Sequence, residues 1–344
     1  MDLAAGAGDG VLLELRAREA FAKREYVGSA DLAKRCAEQA AESNDPGTWW
    51  HMTFLEAESY RESGDQKNCI KTARSLKNHS LSVGSAELMC RVLTLEAVSL
   101  QGAGELREAL TTAESAVKVG QAAGLRNEIQ IGAESALVAA LAESGRIDQA
   151  WVHCQDLIQL LKVAADAQLA GKAYWVVGNV AFLRQQSDVG VHYHGLAAEQ
   201  LSPSNDLGLW AWFNMSSAAM RLSAGIADQE TTDCMDRAEL AGSIIGTSEQ
   251  VRHLNELNRA RWFFLKGKSH EAANLLGPIC SKSDLPHQTA GEANMLLAKA
   301  LRELGDCQAS LRHFKDSQAH FSQAGAKDRA AQVAAEIAGF PQAS

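Results

Sequence analysis

Proline and aromatic residues are scarce: five prolines and four tyrosines in 344 residues, with Phe, Trp and Tyr together at 6%. That is the profile of a helical chain, since proline breaks helices and little of it is present. Cysteine offers no framework either. Its seven copies are odd in number and include no Cys-x-x-Cys pair, which fits neither a disulfide scaffold nor a zinc site. Positive charge is not in excess: 33 Lys and Arg stand against 42 Asp and Glu, a net charge of −9, the opposite of the usual balance in a nucleic-acid binder. Met1 to Gly10 has neither a basic run nor a long apolar core. No signal peptide or membrane span is expected there, and a cytoplasmic protein is.

Catalytic signatures are missing as well. There is no Gly-x-x-x-x-Gly-Lys loop, no His-Glu-x-x-His and no Gly-x-Ser-x-Gly. The expectation is a chain that is not an enzyme and carries no cofactor or metal. His192 and His194 point to different sides of a helix, and Cys36, Cys69, Cys154 and Cys234 suit small apolar slots.

Hydrophobic residues make up 46% of the chain and charged ones 22%, enough to bury a core. A recurring turn organises them: Ser63-Gly64-Asp65, Ala103-Gly104-Glu105, Ser144-Gly145-Arg146, Ala224-Gly225-Ile226, Lys266-Gly267-Lys268 and Leu304-Gly305-Asp306. Glycine suits a helix end because it takes the left-handed conformation cheaply. Seven residues before each glycine stands a small or β-branched side chain: Ala57, Ala97, Val138, Ala218, Ala260 or Ala298. Five after it stand Cys69, Ala109, Ala150, Ala272 and Ser310, with Glu230 the exception. Small residues on both sides of a turn describe two antiparallel helices in close contact.

Two further turns lack the glycine, at Arg24-Glu25 and Ser187-Asp188, so turns fall near 24, 64, 104, 145, 187, 225, 267 and 305. Asn44-Asp45-Pro46-Gly47, Ser202-Pro203-Ser204-Asn205 and Asp284-Leu285-Pro286 punctuate the joints between hairpins, and Pro278 should stop or kink its helix. Lys327 to Ala338, followed by Gly339 and Pro341, reads as a capping helix.

This pattern resembles the tetratricopeptide repeat superfamily over nearly the whole chain, with Tyr26 and Tyr60 where the family favours aromatics. It departs in period, about 40 residues rather than the usual ~34, and so is similar to the sensor regions of bacterial regulators. The resemblance implies an all-α, right-handed α-solenoid of about eight hairpins plus the cap, in one domain spanning 1–344. It also implies that the first helix of each hairpin lines an inner groove. With each turn residue counted as position 15, positions 2, 5, 9 and 12 face inward and position 6 lies beside them. The inward set carries seven bases (Arg18, Arg61, Arg91, Arg184, Arg261, Lys299, Arg302) against three acids (Glu14, Glu58, Glu292).

The candidate ligand-binding residues are Tyr174, Arg184, Trp212, Met215, Leu254, Asn258, Arg261, Phe264, Lys299 and Arg302. Arginine and aromatic side chains dominate interface energetics, and arginine holds a carboxylate through paired hydrogen bonds. The expected partner is a protein or peptide, acidic or with a free carboxylate, without direct contact to nucleic acid or membrane; a homodimer stays open. Two functions fit: a peptide-binding module, or a ligand-responsive sensor domain of a transcriptional regulator. For Trp212, Leu254 and Phe264, burial between hairpins is an equal alternative, and for each arginine taken alone an ordinary solvated face is the stronger reading.

Overall fold

In the computed structural model, residues 3–163, 166–282 and 285–340 are described; the expectations on Asp284 and Pro341 lie outside them. Eighteen helices and no strand occur among these residues. The chain divides into two compact units, one ending at Gln200 and the other beginning at Leu201.

The first unit holds α1 (Leu3–Ala22), α2 (Tyr26–Glu42), α3 (Pro46–Glu62), α4 (Gln66–Asn78), the short α5 (Ser80–Gly84), α6 (Ala86–Gly102), α7 (Leu106–Ala122), α8 (Asn127–Glu143), α9 (Ile147–Leu160), α10 (Ala167–Leu183) and α11 (Ser187–Gln200). The second holds α12 (Leu207–Ser223), α13 (Gln229–Ile245), α14 (Glu249–Leu265), α15 (Ser269–Cys280), α16 (His287–Glu303), α17 (Cys307–Gln323) and α18 (Lys327–Ala338). Within each unit the helices pair as hairpins, α5 and α18 apart, and each hairpin packs on the next.

The turns have the conformation that glycine favours. Gly64, Gly104, Gly145, Gly225, Gly267 and Gly305 have φ between +72° and +84°, where a side chain would clash with its own backbone. Arg24 adopts the same region without glycine, at φ 64°. Aspartates after several of these turns start the next helix by accepting from its free N–H groups, as Asp65 does from Asn68 (3.1 Å) and Asp306 from Ala309 (2.9 Å). Pro46 opens α3 at its first position, and α15 ends two residues beyond Pro278.

The small slots lie where the paired helices touch. Ala57, Val138, Ala218, Ala260 and Ala298 are fully buried, as are Cys69, Ala109, Ala150, Ala272 and Ser310. In the first and eighth hairpins the later slot is a serine whose hydroxyl donates to the carbonyl of the earlier one: Ser29 to Ala17 (3.0 Å) and Ser310 to Ala298 (2.7 Å). Glu230 breaks the pattern because α13 starts at Gln229, two residues further past its glycine than the second helices of the other glycine-turn hairpins do. Thr231, fully buried, takes that slot instead.

The fifth hairpin turns two residues earlier than the Ser187-Asp188 reading. Gln185 has φ 61°, and Ser187 is already the first residue of α11. This phase puts glycine in both slots, Gly178 before the turn and Gly190 after it. A Cβ on Gly178 would come within 2.2 Å of His194, and one on Gly190 within 2.6 Å of Phe182. Nothing larger fits between α10 and α11.

Candidate functional site

In the second unit the first helices of successive hairpins, α12, α14 and α16, present their inward positions to one cavity of about 640 Å³, and α18 forms a further wall. Seven of the ten expected residues line it: Trp212 and Met215 from α12, Leu254, Asn258, Arg261 and Phe264 from α14, and Lys299 from α16. Leu222, Leu257 and Met295 complete the apolar frame. Trp212 is 48% exposed, which is unusual for so large an apolar side chain. It also borders a smaller recess of about 120 Å³ shared with Ile245 and Val251.

Arg261 is the polar centre. Its guanidinium donates to Glu292 Oε2 at 3.0 Å and to Ser223 Oγ at 3.1 Å. Burial pushes it below the ordinary arginine range; Glu292 opposes that shift and Arg329 adds to it. Arg329 of α18 also grips Glu292, so two arginines share one carboxylate. Lys299 lies 3.7 Å from Glu336, which is held below the usual carboxylate range chiefly by its hydrogen bond from Arg302. Asn258 was expected to offer its amide to a ligand backbone. It is 5% exposed and its Nδ2 donates to the Met215 carbonyl at 3.0 Å, so that donor braces α14 against α12.

Three expected residues are placed elsewhere. Arg302 does not line the cavity: its guanidinium lies over the Phe314 ring (5.5 Å) and bonds to Glu336 (2.8 Å). Tyr174 and Arg184 belong to the first unit. Tyr174 stacks on Tyr193 of α11 at 6.2 Å, and Arg184 covers the Trp151 ring at 5.1 Å and pairs with Asp148 at 3.3 Å. Both follow from the two-residue phase error. Counted from Gln185, positions 2, 5, 9 and 12 of α10 are Lys172, Trp175, Asn179 and Phe182; the last two pack against His194 and Gly190 of α11, and Lys172 acts electrostatically on the inward Glu58.

Arg329 and Gln332 line the cavity without having been singled out. With Glu336 they keep the steps of three and four that mark inward positions on every first helix.

In the first unit, Phe54, Glu58, Arg61, Arg91, Thr94 and Gly132, all inward positions, line a recess of about 170 Å³. Arg91 lies over both Phe54 (4.6 Å) and Trp50 (5.6 Å). Burial is the largest influence on Glu58 and raises its carboxyl above the usual range, with Arg61 and Arg91 pulling it back. The cysteines offer no reactive thiol at their interior slots: burial pushes Cys154 up to about 12 and Cys234 up to about 11. Among the described residues no helix is long and apolar enough to cross a membrane.

No protein-family model and no curated protein matches the chain. Solved structures do. The apo form of RapI aligns with TM-score 0.56 at 12% identity, covering 86% of this chain and 99% of that one. The apo form of the quorum sensor NprR from B. thuringiensis aligns with TM-score 0.63 at 10% identity, covering 91% and 87%. A signal-transduction ATPase from Pyrococcus horikoshii with a tetratricopeptide repeat sensor aligns with TM-score 0.56 at 12% identity, covering 95% of this chain, which spans half (50%) of that protein. At such identities the likeness is one of fold. The stacked hairpins, the small slots at their contacts and these neighbours agree: the chain has an all-helical repeat fold like theirs.

Proposed function

We propose that the inner face of the second unit binds a peptide or protein segment presenting a carboxylate together with apolar side chains. The observation that carries this reading is the cavity's lining. Arg261 and Arg329 share the one carboxylate of the lining, Glu292, and Lys299, beside Glu336, lines the same apolar frame, on a chain whose net charge is −9. Away from bulk water a guanidinium–carboxylate contact gains strength, and a shared carboxylate leaves donor capacity on both arginines. The volume falls within the range of about 300–1,000 Å³ typical of ligand pockets. Exposed Trp212 supplies an aromatic surface of the kind that anchors interfaces.

A sensor role is the second reading, and the contacts of α18 favour it. That helix is tied to the cavity by Arg329 on Glu292 and by Glu336 with Lys299 and Arg302. A ligand carboxylate that recruits Arg329 or Lys299 competes with those ties. NprR is itself described as a quorum sensor, which is in keeping with this reading.

Selection of a random 12-residue display library on the full chain tests both readings. Enriched peptides should combine Asp, Glu or a free C-terminus with large apolar residues, and should bind a Trp212→Ala/Lys299→Ala variant at least about tenfold more weakly. Equal binding to that variant would contradict the site. Hydrogen exchange in α18 then separates the readings, slower with peptide for a static binder and faster for a sensor.

A further inference from the structure

Glu134 is a carboxylate at a position where another hairpin uses a neutral amide. It lies on α8, eleven residues before Gly145, and is 2% exposed. Its Oε2 is 3.1 Å from Nδ1 of His153, which follows that glycine by eight residues on α9. The eighth hairpin repeats the arrangement around Gly305, with Asn294 eleven before and His313 eight after, Nδ1 to Oδ1 at 2.8 Å. Asp156 and Asp316 then stand eleven after their respective glycines. Tying the two helices together therefore needs no charge at this place. Burying one is unfavourable unless a cation accompanies it.

We infer that the fourth hairpin carries a site for a divalent transition-metal ion, held by Glu134, His153 and Asp156. One donor atom from each lies within 4.8 Å of the others. Two ligands at about 2.1 Å from one ion stand about 3.4 Å apart at the tetrahedral angle and about 3 Å apart at a right angle. The 3.1 Å separation of His153 and Glu134 matches that span, and the exposed Asp156 is free to swing in as third ligand. The other oxygen of Glu134 accepts from Gln121 Nε2 of α7 at 3.1 Å. A bond of that kind fixes a ligating carboxylate in orientation. One imidazole nitrogen with two carboxylates suits Zn²⁺, Co²⁺ or Ni²⁺ better than the all-oxygen preference of Ca²⁺ or Mg²⁺. The ion takes the place of the proton between His153 and Glu134 and balances both carboxylates, with water at the positions that face solvent.

Calorimetric titration of Zn²⁺ into the chelator-treated full chain tests this, with Glu134→Asn and Asp156→Asn in parallel. Wild type should bind an ion in the micromolar range or tighter, and Zn²⁺ should raise its melting temperature in proportion to the logarithm of concentration above Kd. Glu134→Asn copies the amide of the eighth hairpin, so it should keep helicity while losing about tenfold or more in affinity. Asp156→Asn alters only an exposed side chain and should weaken binding likewise. Absence of binding by wild type, or affinity undiminished in Asp156→Asn, would overturn the site.

Discussion

Gly178→Ala should destabilise the first unit by about 3 kcal/mol, although alanine is intrinsically the better helix residue by about 1 kcal/mol. The added methyl meets His194 Cδ2 at 2.2 Å and the Gly190 carbonyl at 3.2 Å. His194 is buried, bonded to Asn179 at 3.1 Å and packed edge-on against Phe182 at 5.1 Å, so it has no vacant space to swing into. Overpacking of this kind costs about 1–3 kcal/mol, and breaking the buried hydrogen bond adds about 1–3 kcal/mol. Chemical denaturation measures the sum. Gly195→Ala, in α11 with nothing within 4 Å of its added carbon, is the control and should be neutral or stabilising. Truncating His194 in the Gly178→Ala background should recover part of the loss. Equal stability of the Gly178 and Gly195 variants would refute the close approach of α10 and α11.

Trp50→Ala should cost about 3–5 kcal/mol, the range for emptying a large aromatic site. Trp50 is 1% exposed, stacked on Phe54 at 5.1 Å with planes 9° apart, and surrounded by Cys69, Ala73, Leu76 and Val92. Its Nε1 donates to Ser82 Oγ at 2.8 Å, which ties α5 to α3. Removal leaves that buried hydroxyl with one contact fewer and takes a ring from beneath Arg91. Because each hairpin contacts chiefly its neighbours, the lost hydrogen-exchange protection should centre on α3 to α6. A loss below about 1 kcal/mol would mean that the ring is not packed as described.

The hairpins were legible because two local signals coincide at each turn: a residue able to take positive φ, and small side chains seven before and five after. Where glycine marked the turn, the phase came out right, and Trp212, Met215, Leu254 and Arg261 reached the same cavity. Without it, Ser187-Asp188 resembled a helix start, which it is, but the left-handed residue was Gln185. On a helix two residues amount to more than half a turn, so Tyr174 and Arg184 were moved from the packing surface to the groove. Gly178 and Gly190 carried the missing signal. Arg302 and Asn258 were read with the right phase, yet their partners could not be read, since Glu336 and the Met215 carbonyl lie 34 and 43 positions away. Arg329 carries no such signal, since a terminal helix without a following hairpin reads as a cap and not as a wall.

Isothermal titration of the tightest selected peptide against Arg261→Gln and Arg184→Gln tests the central claim most directly. Arg261 lies inside the cavity and Arg184 among packed helices, although both were candidates on spacing alone. A recognition surface formed by the inward positions of α12, α14, α16 and α18 predicts about tenfold or greater loss of affinity for Arg261→Gln and none for Arg184→Gln. Undiminished binding by Arg261→Gln, with its fold intact, would contradict it.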